Sequence, residues 1–174
     1  MNLSPGSATT APGVHPAPQA SHSTRLCAFL AFKLGQEEYG MDILRVQEIR
    51  SYEKPTLLPH GPAHLLGVVN LRGTIVPLMD LRVRLQLAQA TYDAHTVVIV
   101  VNVGQRVVGL VVDSVSDVLS LRPEQMRPVP ALDSGFAPEH LLALGCVDGR
   151  TLLLLDIEQY LAASLGTTTH VQPG

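Results

Sequence analysis

An internal repeat constrains this chain more than any other feature. Gly35-Gln36 recurs as Gly104-Gln105, Gly40 as Gly109, Val46 as Val115, Glu48 as Asp117 and Ile49 as Val118, each pair 69 residues apart. A doubled unit comes before any assignment of elements, because it makes the architecture two of something. A second match extends the unit toward its C-terminal end. Gly67–Leu85 reads GVVNLRGTIVPLMDLRVRL: two apolar, β-branched runs around Arg72-Gly73, then Asp80 with Leu81 and Leu85 one helical turn apart. Gly145–Leu161 reads GCVDGRTLLLLDIEQYL, with Asp148-Gly149 between its runs and Leu161 five residues after Asp156, the spacing of Leu85 after Asp80. Matching Gly67 to Gly145 separates the hairpins by 78 residues, so the linkers of the two halves differ. Each half reads as strand, Gly-Gln turn, strand, a third strand, a tight hairpin and a short helix. Gly73 and Gly149 are expected at positive φ.

Ten short strands in two groups of five predict a mostly β chain of two small β-barrels with short helices and a C-terminal helix. Long crossover helices are missing, which argues against a parallel α/β sheet. The expected boundaries are a disordered tail over residues 1–24, a first barrel over 25–87, a second barrel with the C-terminal helix over 88–165, and a frayed end over 166–174. The tail is Ala, Ser, Thr, Gly and Pro without a charged side chain, a composition that cannot offset the entropy of ordering it. With three Phe, four Tyr and no Trp, the core must be aliphatic.

A net charge of −3 without a Lys/Arg-rich run gives no field for nucleic acid. No apolar run approaches the roughly 20 residues that cross a bilayer, and the N-terminus does not read as a secretory signal. Cys27 and Cys146 lie in apolar strand sequence and are expected as buried free thiols of a reducing cytosol. Phosphate-loop, nucleophile-elbow, zinc-protease and dinucleotide motifs are all missing. The carboxylates Asp42, Asp80, Asp113 and Asp156 each stand at a strand end, where they read as helix caps rather than as an acid/base pair. Cys146 with His140 reads as core, and His60 with His64 sits in a Pro/Gly connector unsuited to a metal. No cofactor is expected. Surface residues remain. Arg72 is either a polar turn residue or an exposed guanidinium able to contact a partner; Glu48 is either solvated or the carboxylate that fixes Arg72. Val46 and Gly67 read as barrel packing and as a small residue at a close strand approach.

The segments YGMDILRVQEIR, GVVNLRGTIVPLMDLR, NVGQRVVGLVVDSVSDVLSL and LLLLDIEQYL resemble the CheW-like family of bacterial chemotaxis coupling proteins, from about Cys27 to Leu161. The resemblance implies two SH3-like five-stranded β-barrels and a non-catalytic adaptor without metal or cofactor. It implies two partners: the cytoplasmic tip of methyl-accepting chemotaxis receptors and the regulatory domain of the chemotaxis histidine kinase. The place it implies is cytoplasmic, at receptor arrays on the inner face of the membrane. By position, the receptor-facing residues correspond to Val46, Glu48, Gly67, Arg72 and Ala143, and a second kinase contact to Arg127 and Leu132. Ala143 stands where the family usually has Gly, and Leu132 where some relatives carry an aromatic. Two other readings stay open: an enzyme using the strand-end carboxylates, and a ligand-sensing or structural double barrel without a kinase partner. A close titratable pair in one cleft would favour the first, and a deep apolar pocket at the barrel junction the second.

Overall fold

Eleven strands form among the described residues, one more than expected: β1 (Cys27–Leu34), β2 (Glu37–Asp42), β3 (Val46–Ser51), β4 (Leu65–Leu71), β5 (Thr74–Asp80), β6 (Val97–Val103), β7 (Arg106–Val112), β8 (Ser114–Leu121), β9 (Met126–Arg127), β10 (Leu141–Val147) and β11 (Arg150–Leu155). The extra one is β9, whose two residues are too few to leave a periodic signal. Helix α1 (Leu81–Arg84) follows β5, and α2 (Ile157–Leu165) follows β11. The computed structural model describes residues 26–87, 90–130 and 140–165. The expected tails over 1–24 and 166–174, and Leu132, lie outside the described residues.

The strands make two mixed sheets, a six-stranded one in the order β8-β1-β2-β11-β10-β9 and a five-stranded one in the order β3-β6-β7-β5-β4. These sheets do not follow the halves of the chain. By the repeat, β1 corresponds to β6, β2 to β7, β3 to β8, β4 to β10 and β5 to β11. Each sheet therefore takes its first two repeat strands from one half and the other three from the opposite half. The boundary expected near residue 87 separates the halves in sequence but not the sheets. Two short crossings enforce the exchange: the single 3-10 turn Ile43–Arg45 carries β2 into β3, and Asp113 alone separates β7 from β8.

Exchange explains the unbroken apolar runs of β1 and β6, because both strands are buried on both faces. Phe29 and Ala31 pack inside the six-stranded barrel with Leu121, Leu152 and Leu154. Val98 and Val100, their repeat equivalents, pack inside the other with Leu78 and Val111. The alternate residues, Leu30, Phe32, Ile99 and Val101, face a third core between the barrels, joined there by Met79, Leu81, Leu155, Ile157 and Tyr160. That shared core takes equivalent positions from both halves, Phe32 with Val101 and Met41 with Leu110. Cys27, expected buried, is exposed because it opens β1 at the rim of the sheet; Cys146 is half-buried.

The hairpins follow the turn chemistry. Arg72 and Gly73 have φ of 51° and 87°, Asp148 and Gly149 have 49° and 74°, and Asn70 Oδ1 accepts from the Gly73 amide at 2.7 Å. The strand register corrects one match. A bulge lies between Leu65 and Gly67 and another between Leu141 and Ala143; Gly67 then pairs Leu78 and Ala143 pairs Leu154. The equivalent of Gly67 is thus Ala143 rather than Gly145.

Candidate functional site: a carboxylate between two arginines

A bulge aims the site. On β3, Val46 pairs Val101 while Glu48 pairs Val100, so Gln47 is the extra residue. Without it, positions 46 and 48 would share a face. With it, Val46 turns toward the shared core, against which it packs. Glu48 and, two residues on, Arg50 turn to the other face, over the seam of the five-stranded barrel. The repeat keeps the device: on β8, Ser116 is skipped where Ala31 pairs Asp117 and Phe32 pairs Val115.

Strands β3 and β4 are the two edges of their sheet, yet the sheet curls until they meet. Thr56, in the connector after β3, exchanges both backbone hydrogen bonds with Val68 of β4 at 2.9 Å. The remaining seam is a shallow cleft lined by Arg50, Ser51, Val69, Leu71 and Val98. At its mouth, Arg72 Nη1 donates to Glu48 Oε2 at 3.0 Å, and Arg50 Nη1 donates to Glu48 Oε1 at 3.3 Å. The Glu48 side chain is 20 % exposed and that of Arg72 is 77 % exposed. One carboxylate therefore holds two guanidiniums, the more exposed of them at a hairpin tip; Arg50 also stands 4.0 Å from Glu53 Oε1, so the group as a whole is neutral with its cation outermost.

Gly67 sits beneath this mouth for a steric reason. Its φ is +146°, and a Cβ there would lie 2.1 Å from the Thr56 carbonyl oxygen. Only a residue without a side chain lets the connector seat on β4. Ala143 is 7 % exposed inside the other barrel, so its side chain faces the core. Arg127 is exposed on β9, where it pairs Leu144. The structure thus brings Glu48 and Arg72 together, sets Val46 on the same strand and Gly67 under the same seam, and keeps Ala143 and Arg127 in the other sheet. Arg50 was not singled out in the sequence. Its signal was the spacing from Glu48, two residues along a strand and hence on one face.

Two other arginines among the described residues are held more tightly. Arg150 donates to both oxygens of Asp117, at 3.1 and 2.9 Å, and to Glu38. The Arg150 guanidinium holds the Glu38 and Asp117 carboxyls below the usual carboxylate range. Asp117 is the repeat equivalent of Glu48, so each barrel carries an arginine–carboxylate cluster, but here the cation is clamped from two sides. Arg82, buried to 3 % exposure, is bidentate to Asp80, reaches Asp113 at 2.6 Å and stacks on Tyr92, whose hydroxyl donates to Asp80. Burial pushes the Tyr92 hydroxyl up, and the Asp80 bond adds to it. Asp42, Asp80 and Asp156 accept from Leu44, Arg82 and Gln159 amides as helix caps do. Asp113 does not cap; it takes the Gly35 amide at 2.6 Å as well as Arg82, and so ties one barrel to the other. An open cavity of about 190 Å³ beside α2 is lined by Asp42, Arg45, Asp156 and Glu158 with three apolar residues, a mixed wall unlike a deep apolar ligand pocket. No helix among the described residues is long and apolar enough to cross a membrane.

Interlocked sheets and an exposed arginine held by a carboxylate at a hairpin tip suit a protein-recognition scaffold. The chain belongs to the CheW-like family: that family's domain matches residues 28–164. It is 55% identical over 135 residues to the chemotaxis protein CheW of Klebsiella aerogenes, covering 78% of this chain and 81% of that one. The probable chemotaxis protein CheW of Rhizobium etli is 39% identical over 129 residues, covering 74% and 83%. The crystal structure of the scaffolding protein TtCheW from Thermoanaerobacter tengcongensis superposes with a TM-score of 0.70 at 25% identity, over 75% of this chain and 88% of that one. The protein is accordingly a chemotaxis scaffold and not an enzyme.

Proposed function

We propose that the chain couples the cytoplasmic tip of methyl-accepting chemotaxis receptors to the regulatory domain of the chemotaxis histidine kinase, in arrays on the cytoplasmic face of the membrane. Arg72 is the receptor-facing cation and Glu48 its support; Val46 and Gly67 give the site its shape from below, and Ala143 contributes through the backbone of its bulge. Arg127, on the other barrel, forms a second kinase contact to which Leu132 also contributes. The observation that carries this reading is the Arg72–Glu48 bond across the seam, which fixes an exposed guanidinium with most of its donors turned to solvent. Its complement is an acidic side chain on the receptor.

The test is a titration of a purified receptor cytoplasmic fragment, and separately of the kinase regulatory domain, into the wild-type chain and Arg72→Ala. Receptor affinity should fall by about thirtyfold or more, as for truncation of an arginine anchor worth about 2 kcal/mol, while kinase affinity stays unchanged. Equal receptor affinity of both chains would move the site elsewhere.

A further inference from the structure

We infer that Arg50 is a positioning residue for Arg72: it holds Glu48 in the one rotamer from which Glu48 can hold the hairpin tip. This rests on the receptor reading above and goes one residue deeper into the same site.

The argument starts from which partner is anchored. Arg72 stands on a two-residue turn with 77 % of its side chain exposed, so nothing but its carboxylate partner restrains it among the described residues. Glu48 is a flexible side chain too, and a single bond to an exposed arginine would leave both free to rotate. Arg50 breaks that symmetry. Its side chain is 32 % exposed and its stem lines the seam beside Val69, Leu71 and Val98, an apolar bed along which a long side chain lies. From there its Nη1 donates to Glu48 Oε1, and its Nη2 stands 4.0 Å from Glu53 Oε1. With Oε1 occupied, Oε2 is the oxygen left pointing at the hairpin, and Arg72 takes it. Order runs from the barrel wall through Arg50 and Glu48 to Arg72, so the guanidinium is ordered before a partner arrives.

The repeat supplies a comparison inside the molecule. At the position equivalent to Arg50 the second half has Leu119, and at the position equivalent to Arg72 it has Asp148. There the carboxylate Asp117 holds a different arginine, Arg150, shared with Glu38. The half that lacks the anchoring arginine also lacks the exposed one, which is the pairing expected of two residues that act together.

A double-mutant cycle on the full chain tests this, with a purified cytoplasmic fragment of a methyl-accepting receptor from the same organism as the probe. Arg50→Met keeps the stem over the seam and removes the guanidinium, so the barrel stays covered; its melting curve checks that. Arg50→Met should weaken receptor binding about fivefold, Arg50→Lys should restore it to within about twofold, and in an Arg72→Ala background Arg50→Met should add nothing. A full Arg72→Ala loss with no effect of Arg50→Met overturns the inference and leaves the receptor site standing. Additive losses overturn it as well, since Arg50 would then touch the receptor itself. No loss in Arg72→Ala would instead overturn the receptor reading on which it rests.

Discussion

At Gly67 a single missing carbon decides whether the connector can lie on β4. A Cβ at this position meets backbone at 2.1 Å, and φ is one that L side chains rarely adopt, so neither a rotamer change nor a neighbour's side chain can make room. Gly67→Ala should cost about 2 kcal/mol or more of unfolding free energy in a urea titration, with receptor binding lost through the fold; unchanged stability would contradict the seat described here. His64 acts by charge. Burial, with Arg84 nearby, holds its imidazole below the ordinary histidine range. The unfolded chain therefore binds the proton first, and stability falls as pH drops through about 6.5 toward the folded value, being complete above that window. His64→Gln should flatten the decline in melting temperature between about pH 7.5 and 5.5. An identical decline in the variant would place the titration elsewhere. The residue scale was also the least legible in sequence. Arg50 looked like any polar residue on a solvated strand, because the bulge at Gln47 that turns it toward the seam leaves no mark in composition or period.

Among the elements, hairpins and caps were readable because local chemistry dictates them. Arg72-Gly73 and Asp148-Gly149 have the positive φ at both central positions that a tight two-residue hairpin demands. Replacing Gly73 or Gly149 with Val should each destabilise by about 1 kcal/mol or more, since a β-branched side chain is strained there; two variants as stable as wild type would refute the turn geometry. What could not be read was strand partnership. Both halves carry the same strand pattern, so β3 pairing with its own β1 and β3 pairing with β6 bury equivalent faces. The sequence is indifferent between them, and the choice falls to the short crossings at Ile43–Arg45 and Asp113. The bulges likewise hid the match of Gly67 with Ala143, because the eye aligns glycine with Gly145 two residues on.

Exchange has a consequence for the whole molecule. Neither barrel can form from one half alone, and the shared core is built from both. Heat should therefore unfold the chain in one transition with calorimetric and van't Hoff enthalpies equal, and the halves expressed separately, divided at the linker near residue 88, should fold only when mixed. Two resolved transitions would mean independent barrels. On the proposed reading, this interlocking lets a receptor site at Arg72 change without endangering the fold: Arg72 contributes about 0–1 kcal/mol as an exposed pair, against three buried clusters beneath it. The most direct test of that separation is receptor control of kinase activity in a reconstituted receptor–kinase assembly carrying Arg72→Ala. Receptor control should fall to the level seen without any adaptor, while the melting temperature and the binary kinase complex match wild type. Full receptor control by Arg72→Ala would contradict the account at its centre.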